Sequence, residues 1–285
     1  MAPEAHVKPV IARWLAAHGA PTWLLPDYFQ LAVLALFVGT VIALWLARRD
    51  GASHVHTVRA IACAYVASLL GGYVFESLRA LPMALWTGSF HGVLHPGRAA
   101  YGGLLAGIGG AIFYLSAHRQ PLAPFFDRVA VGTGLAFAFI RTGCFLAGCD
   151  YGLPTSHPWG VRFPPHSLAA LDHARHGFIP AGAYSLPVHP TELYEAALGL
   201  FAAALAAVPL ARGRRDGTAF SVFLGVYAVG RFTIEGLRGD LDRGRLLSLS
   251  TAQWVSLGLL ASLLRFVPGL LRLPHGFHYP RRDPR

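Results

Sequence analysis

Charge is scarce in this chain. Only 13% of its 285 residues are Asp, Glu, Lys or Arg, against about 25% in an ordinary soluble domain. A water-soluble protein of this length would need far more charged side chains to cover its surface, so most soluble classes are excluded. Three cysteines are too few for a disulfide-dense secreted scaffold, and 54% hydrophobic residues exclude intrinsic disorder. Lysine is nearly missing as well, with Lys8 the one lysine among 24 basic residues. The formal charge of +10 rests on arginines scattered along the chain, without a basic block beside stackable aromatics before a short tail. That pattern excludes nucleic acid as a partner and fits charge placed beside a lipid bilayer.

Long uncharged runs fill the space that charge leaves. A membrane helix needs roughly 20 apolar residues, and seven segments meet this, near 28–47, 60–78, 99–118, 127–147, 191–211, 218–237 and 246–266. The expected fold class is therefore an all-α integral membrane protein, a bundle of about seven transmembrane helices forming one domain over 1–285. Gly102, Gly103, Gly107, Gly109 and Gly110 in the third run predict close approach to a neighbouring helix. Arg48, Arg49, Arg59, Arg119, Arg128, Arg212, Arg214 and Arg215 fall in the first, third and fifth connections, and Arg265, Arg272, Arg281, Arg282 and Arg285 in the tail. The positive-inside rule then puts the N-terminus outside and the C-terminus in the cytoplasm. The first 27 residues lack the order of a cleaved signal peptide, so the first helix is expected to act as an uncleaved signal. The connection 150–190 lies outside in this scheme and holds seven prolines and five histidines without helical periodicity. A connection longer than about 15 residues is usually functional or disordered. This one either covers a site or is a poorly ordered loop.

A few charges sit where lipid makes charge costly, which marks them for function unless they pair structurally. Arg141 has apolar sequence on both sides, and Arg231, Glu235 and Arg238 share one helical face at spacings of four and three. Two readings stand for them: an Arg231–Glu235 ion pair that fixes packing, or a pair of guanidinium forks clamping a lipid phosphate. Glu192 and Glu195 favour the positive end of a helix starting at Pro190. Alternatively they and His189 line the cavity of the arginines, where a carboxylate or imidazole takes a proton. Cys144 and Cys149 are five apart. A metal there would call for further Cys or His at ligand spacing, and His173 and His176 belong to the long connection, so no metal is expected. A disulfide, if the helix breaks at Gly148, or plain burial as small hydrophobes remain for the pair. Cys63 is read as packing.

These landmarks resemble the prolipoprotein diacylglyceryl transferase family over most of the chain. Tyr28 starts the series, followed by Tyr101-Gly-Gly-Leu104, similar to the family's His-Gly-Gly-Leu, and Asp127 preceding Arg141. Arg141-Thr-Gly-Cys-Phe-Leu-Ala-Gly148 resembles the signature Arg-x-Gly-Asn-Phe-x-Asn-Gly-Glu, and His189-Pro-Thr-Glu-Leu-Tyr-Glu195 resembles His-Pro-Ser/Thr-Gln-Leu-Tyr-Glu. Arg231-Phe-Thr-Ile-Glu235 with Arg238, and Gln253-Trp-Val-Ser256, complete it. The departures are Tyr101 for a histidine, Cys144 and Ala147 for two asparagines, Cys149 for a glutamate and Glu192 for a glutamine.

The resemblance implies a multi-pass enzyme of the bacterial inner (cytoplasmic) membrane. It implies transfer of a diacylglyceryl group from phosphatidylglycerol to the lipobox cysteine of a secreted lipoprotein precursor, a step of lipoprotein biosynthesis that needs no cofactor. On this reading the catalytic residues are Tyr101, Arg231, Glu235 and His189, and Arg141, Tyr28, Arg238, Tyr194 and Glu195 bind substrate. A neutral phenol, with a reference pKa of about 10, is a poor base beside a histidine, so Glu235 or His189 is expected to take the thiol proton. The alternative is a lipid-binding protein of the same fold whose chemistry is lost or redirected. A small transporter would want inverted internal repeats, and none is visible.

Overall fold

A computed structural model describes residues 17–19, 26–94, 100–213, 216–239 and 245–272. The elements are α1 (Tyr28–Arg49), α2 (His54–Thr87), α3 (His91–Leu94), α4 (Ala100–Ala117), α5 (Leu122–Ala147), α6 (Leu168–Arg175), α7 (Thr191–Ala211), α8 (Thr218–Glu235), β1 (Arg245–Leu246), β2 (Leu249–Ser250) and α9 (Thr251–Arg272). α1, α2, α5 and α7 are long and apolar enough to cross a membrane, and Gly102–Ala117 and Thr251–Leu264 are shorter apolar stretches. Arg214, Arg215, Arg281, Arg282 and Arg285, used above for orientation, lie outside the described residues.

The chain divides into two compact units, one holding the residues up to Val41 and from Val129, the other Ile42–Arg128. In the second, α2 and α4 run antiparallel with almost no side chain between them. A Cβ on Gly102 would come within 2.6 Å of the Gly71 carbonyl oxygen, and one on Gly110 within 2.9 Å of that of Cys63. Only hydrogen fits there, and the apolar contact of two backbones holds the pair. α2 runs well past the expected 60–78. Ser53 caps its start by accepting the His56 N–H at 3.4 Å, and Gly88 ends it in the left-handed conformation with φ 71°. Glu76 and Arg79, where the apolar run stops in sequence, pair with each other one turn apart, so charge does not end the helix.

The first unit is built on α5. α1 crosses it antiparallel, with Gly132 close against Gly39 and Gly143 against the Tyr28 ring. α7 meets it at another glycine pair, where a Cβ on Gly199 would approach the Gly134 carbonyl oxygen to 2.8 Å. α8 packs antiparallel on α7 through Ala202, Ala206, Ala219 and Phe223. α9 then packs on α8, after the two-residue strands β1 and β2 pair antiparallel and postpone the start expected near 246.

The connection 150–190 is not a bare loop. Tyr151, Phe163, Ala169 and Val188 form its own buried core. Ser167 caps α6 by accepting the Ala170 N–H at 3.3 Å. Bridges join Gly152 to Arg238 and both Pro154 and Val161 to Val188. The stretch that follows α5 is thereby fastened between the end of α8 and the segment leading into α7.

Candidate active site

Close helix approach decides what faces what. Gly134 and Gly199 bring α5 and α7 together, and one turn before Gly199 the carboxylate of Glu195 meets Arg141, with Nε 2.7 Å from Oε2. The antiparallel α8 brings Arg231 to the same group, Nη1 lying 3.5 Å from Glu195 Oε1 and 2.6 Å from Glu235 Oε2. Arg238, just beyond α8, places Nη1 3.5 Å from Glu195 Oε1 and Nη2 2.5 Å from Asp150 Oδ1. Asp150 Oδ2 also receives Arg141 Nη1 at 2.8 Å. Three guanidinium groups and three carboxylates thus close one network around Glu195, which is fully buried.

Among the described residues the charges balance, but the geometry is not that of a fully satisfied salt-bridge cluster. Arg141 Nε, Arg231 Nη1 and Glu195 Oε2 are buried and close to opposite charge, yet none is aligned for a hydrogen bond. Among the described residues, Nη2 of Arg141 and both Nε and Nη2 of Arg231 have no ion-pair or hydrogen-bond partner. Donors left in this state are ready for an anion that supplies acceptors in a better direction. Burying such charges without full pairing costs several kcal/mol per ion, so packing alone gives little reason to keep them.

Beside the network lies a neutral polar group. Trp159 Nε1 donates to Tyr194 Oη at 2.8 Å, and the Tyr194 hydroxyl pairs with His189 Nδ1 at 3.1 Å. Burial, and after it the neighbouring His157, hold the His189 imidazole below its ordinary pKa, so it is a neutral proton acceptor at pH 7. Its backbone fixes it firmly: His189 O accepts the Gly152 N–H at 3.0 Å, and Leu153 O accepts the His189 N–H at 3.0 Å. Thr191 Oγ1 donates to Asp150 O at 2.7 Å, which ties the start of α7 to the network.

Of the residues expected from sequence, Arg141, Glu195, Arg231, Glu235 and Arg238 converge in one place, Tyr28 packs on Gly143 of the same helix as Arg141, and His189 with Tyr194 forms the adjoining group. Tyr101 opens α4 in the other unit, and its side chain lies outside the described residues. Asp150 is the member that sequence reasoning missed. It sits at the first residue of a long connection, with nothing in its neighbours to announce two arginine partners. Its one signal was its place just after the motif that starts at Arg141. Glu192 is fully buried, and neither carboxylate oxygen has a hydrogen-bond partner. An apolar groove between α7 and α8 is lined by Leu198, Phe201, Gly225, Val226, Val229 and Gly230.

The family model for prolipoprotein diacylglyceryl transferase matches residues 25–267. A phosphatidylglycerol–prolipoprotein diacylglyceryl transferase of Clostridium tetani is 26% identical over 230 residues, covering 81% of this chain and 87% of its own. One from Bifidobacterium adolescentis is 26% identical over 248 residues, 81% of this chain and 72% of its own. A second such protein of Clostridium perfringens is 33% identical over 168 residues, 58% of this chain and 59% of its own. The match takes in α1 through most of α9, and with them every member of the charged network. The chain belongs to the prolipoprotein diacylglyceryl transferase family.

Proposed function

We propose that the protein transfers the diacylglyceryl group of phosphatidylglycerol to the cysteine thiol of a lipobox peptide in a secreted precursor, releasing glycerol phosphate. The observation that carries this reading is the pair of under-used guanidinium groups, Arg141 and Arg231, set in apolar helices beside an apolar groove. The reaction is displacement at a carbon bearing a phosphate ester. The ester phosphate lies against the unspent donors of Arg141 and Arg231, which neutralise the charge growing on the leaving oxygen. One acyl chain follows the groove between α7 and α8. Glu195 and Asp150 hold the three arginines in position while the anion is absent, and Tyr28 and Tyr194 border the place where the headgroup sits.

The incoming thiol must become a thiolate. His189, neutral and hydrogen-bonded to Tyr194, or Glu235, paired to Arg231, accepts that proton, and Tyr101 serves as a hydrogen-bond donor to lipid rather than as a base. In the bilayer α8 joins α1, α2, α4, α5, α7 and α9 as a seventh span of one domain. The N-terminus is outside, the C-terminus is cytoplasmic and 150–190 covers the site on the outer face of the inner membrane.

The test incubates the purified protein with phosphatidylglycerol and a lipobox peptide and looks for a diacylglyceryl mass increment on the cysteine. The increment is expected with the parent protein and absent with Arg231→Ala. Lipid that copurifies with a protein forming no product, together with product from Tyr101→His, would establish instead a lipid-binding relative whose chemistry was lost with the histidine.

A further inference from the structure

α5 ends in a turn that sets two cysteines against each other. Gly148 takes the left-handed conformation with φ 71°, its N–H bonds Phe145 O at 3.1 Å, and the Cys149 N–H reaches back to Cys144 O at 3.1 Å. This is a Schellman end, and the two residues it folds together, the one after the glycine and the one five positions earlier, ordinarily make an apolar contact. Here both are cysteine. The backbone hydrogen bond between them keeps their α-carbons within the span of a disulfide. The side chains point the same way: Cys149 Sγ donates to Cys144 O at 3.5 Å, and the two sulfurs lie within 4.8 Å of each other. Both are free thiols in this arrangement, and what separates them from a bond is side-chain rotation.

We propose that Cys144 and Cys149 are a disulfide-forming pair, oxidised on the outer face by a disulfide-bearing donor, whose bridge secures the end of α5 beside the phosphate clamp. The outer-face placement and the clamp rest on the reading above. The bridge closes residues 144–149 into a ring around the last turn of α5. Arg141 stands just before that ring and Asp150 just after it. Asp150 Oδ2 and Oδ1 accept from Arg141 and Arg238 at 2.8 and 2.5 Å, and its carbonyl oxygen accepts from Thr191 Oγ1 at 2.7 Å. Asp150 is itself left-handed, with φ 67°, a conformation that a residue with a side chain keeps only where its surroundings hold it. Fraying at Gly148 would release it, and with it the carboxylate that positions two arginines. A covalent tie across the turn opposes that fraying.

The exchange balances in atoms and electrons. Cys149 is half-buried and Cys144 buried, so the donor meets Cys149 first. The Cys149 thiolate attacks one sulfur of the donor's disulfide, a mixed disulfide forms, and the other donor sulfur leaves as a thiolate. Cys144, as thiolate, then attacks Cys149 Sγ. The bond between the two cysteines forms, the mixed disulfide breaks, and the second donor sulfur leaves. The pair gives up two electrons and two protons, and the donor takes up both in becoming two thiols. An outer face is the oxidising side on which such a bridge persists.

The test equilibrates the purified protein in detergent with oxidised glutathione, quenches in acid and alkylates the unfolded chain before mass spectrometry. Cys144 and Cys149 are expected unalkylated, in a peptide lighter by two hydrogens than its reduced form, in Cys63→Ser as in the parent protein. Cys144→Ser should stop the exchange at a glutathione adduct on Cys149. Thiols that stay open to alkylation, or an adduct on the parent protein that never resolves into the bridge, overturn the pair. Hydrogen exchange should be slower by about 10–100-fold at the amides of 148–150 in the bridged protein than in the reduced one, and phosphatidylglycerol in nanodiscs should bind the bridged form several-fold more tightly. Equal exchange in the two forms, or equal lipid affinity, overturns the securing role. Absence of phosphatidylglycerol binding in both forms falls on the transfer reading alone, because bridge formation and amide exchange are read without lipid.

Discussion

α2 and α4 touch backbone to backbone through Gly71, Gly102 and Gly110, whereas α5, α7 and α8 add to a similar glycine contact a buried network of six charges. The first pair needs nothing but complementary shape, and dispersion together with small residues explains it completely. The second contains groups that shape alone would never select, since a buried ion pair is commonly no more stable than an apolar replacement. Where one fold uses both devices, the costly one indicates where function was kept. The glycine contact of Gly134 with Gly199 serves the charged site, because it sets the spacing at which Arg141 and Glu195 meet.

The comparison breaks most sharply at Glu195. Removing a carboxylate that faces three arginines leaves buried cations uncompensated, so Glu195→Ala should lower stability by about 3–5 kcal/mol and abolish transfer, seen as a large fall in the detergent melting temperature and no lipidated peptide. Arg231→Lys comes next. It keeps the charge and the Glu235 pair but loses the planar fork, so transfer should drop while the melting temperature changes little. If Arg231→Lys keeps full activity, the clamp on phosphate is not bidentate. In the second unit, Gly102→Leu should cost about 1–3 kcal/mol by overpacking. Hydrogen exchange should show the loss in α2 and α4, with no effect on which lipid is bound.

Much of this was legible because two periodic signals are strong. The apolar run from Ala196 marked the end of α7 at Ala211, Pro190 with Glu192 and Glu195 marked its start, and the glycine series at 102–110 announced close packing that α2 supplies. Arg141, Arg231 and Glu235 stood out because charge is rare in such runs. What could not be read were features fixed by long-range contact. α2 continues past Glu76, which Arg79 pairs with, and the acceptor role of Asp150 depends on arginines 9 and 88 positions away. In the same way, 150–190 looks structureless because its core residues, Tyr151, Phe163, Ala169 and Val188, follow no helical or strand period. α6, at eight residues, is too short to show one.

That connection also supplies the smallest expected effect. His173 is buried against Tyr151 and Phe178, and its Nδ1 accepts the Leu186 N–H at 3.2 Å. Burial lowers its pKa, opposed by the neighbouring Asp172 and assisted by His176. The unfolded segment therefore binds a proton more readily than the folded one. The stability this histidine permits is complete above its ordinary pKa of about 6.5 and is lost as pH falls through that value toward the lower folded one. Protonation would also put a donor where the Leu186 N–H needs an acceptor. The protection factors of amides across 150–190, exchange divided by the intrinsic chemical rate at each pH, should fall modestly between about pH 8 and pH 5, while those in α2 and α4 should stay constant. His173→Phe keeps the ring contacts but cannot titrate, so it should flatten the profile of 150–190 at a uniformly higher exchange rate. A profile unchanged by that substitution would move the pH dependence to another group.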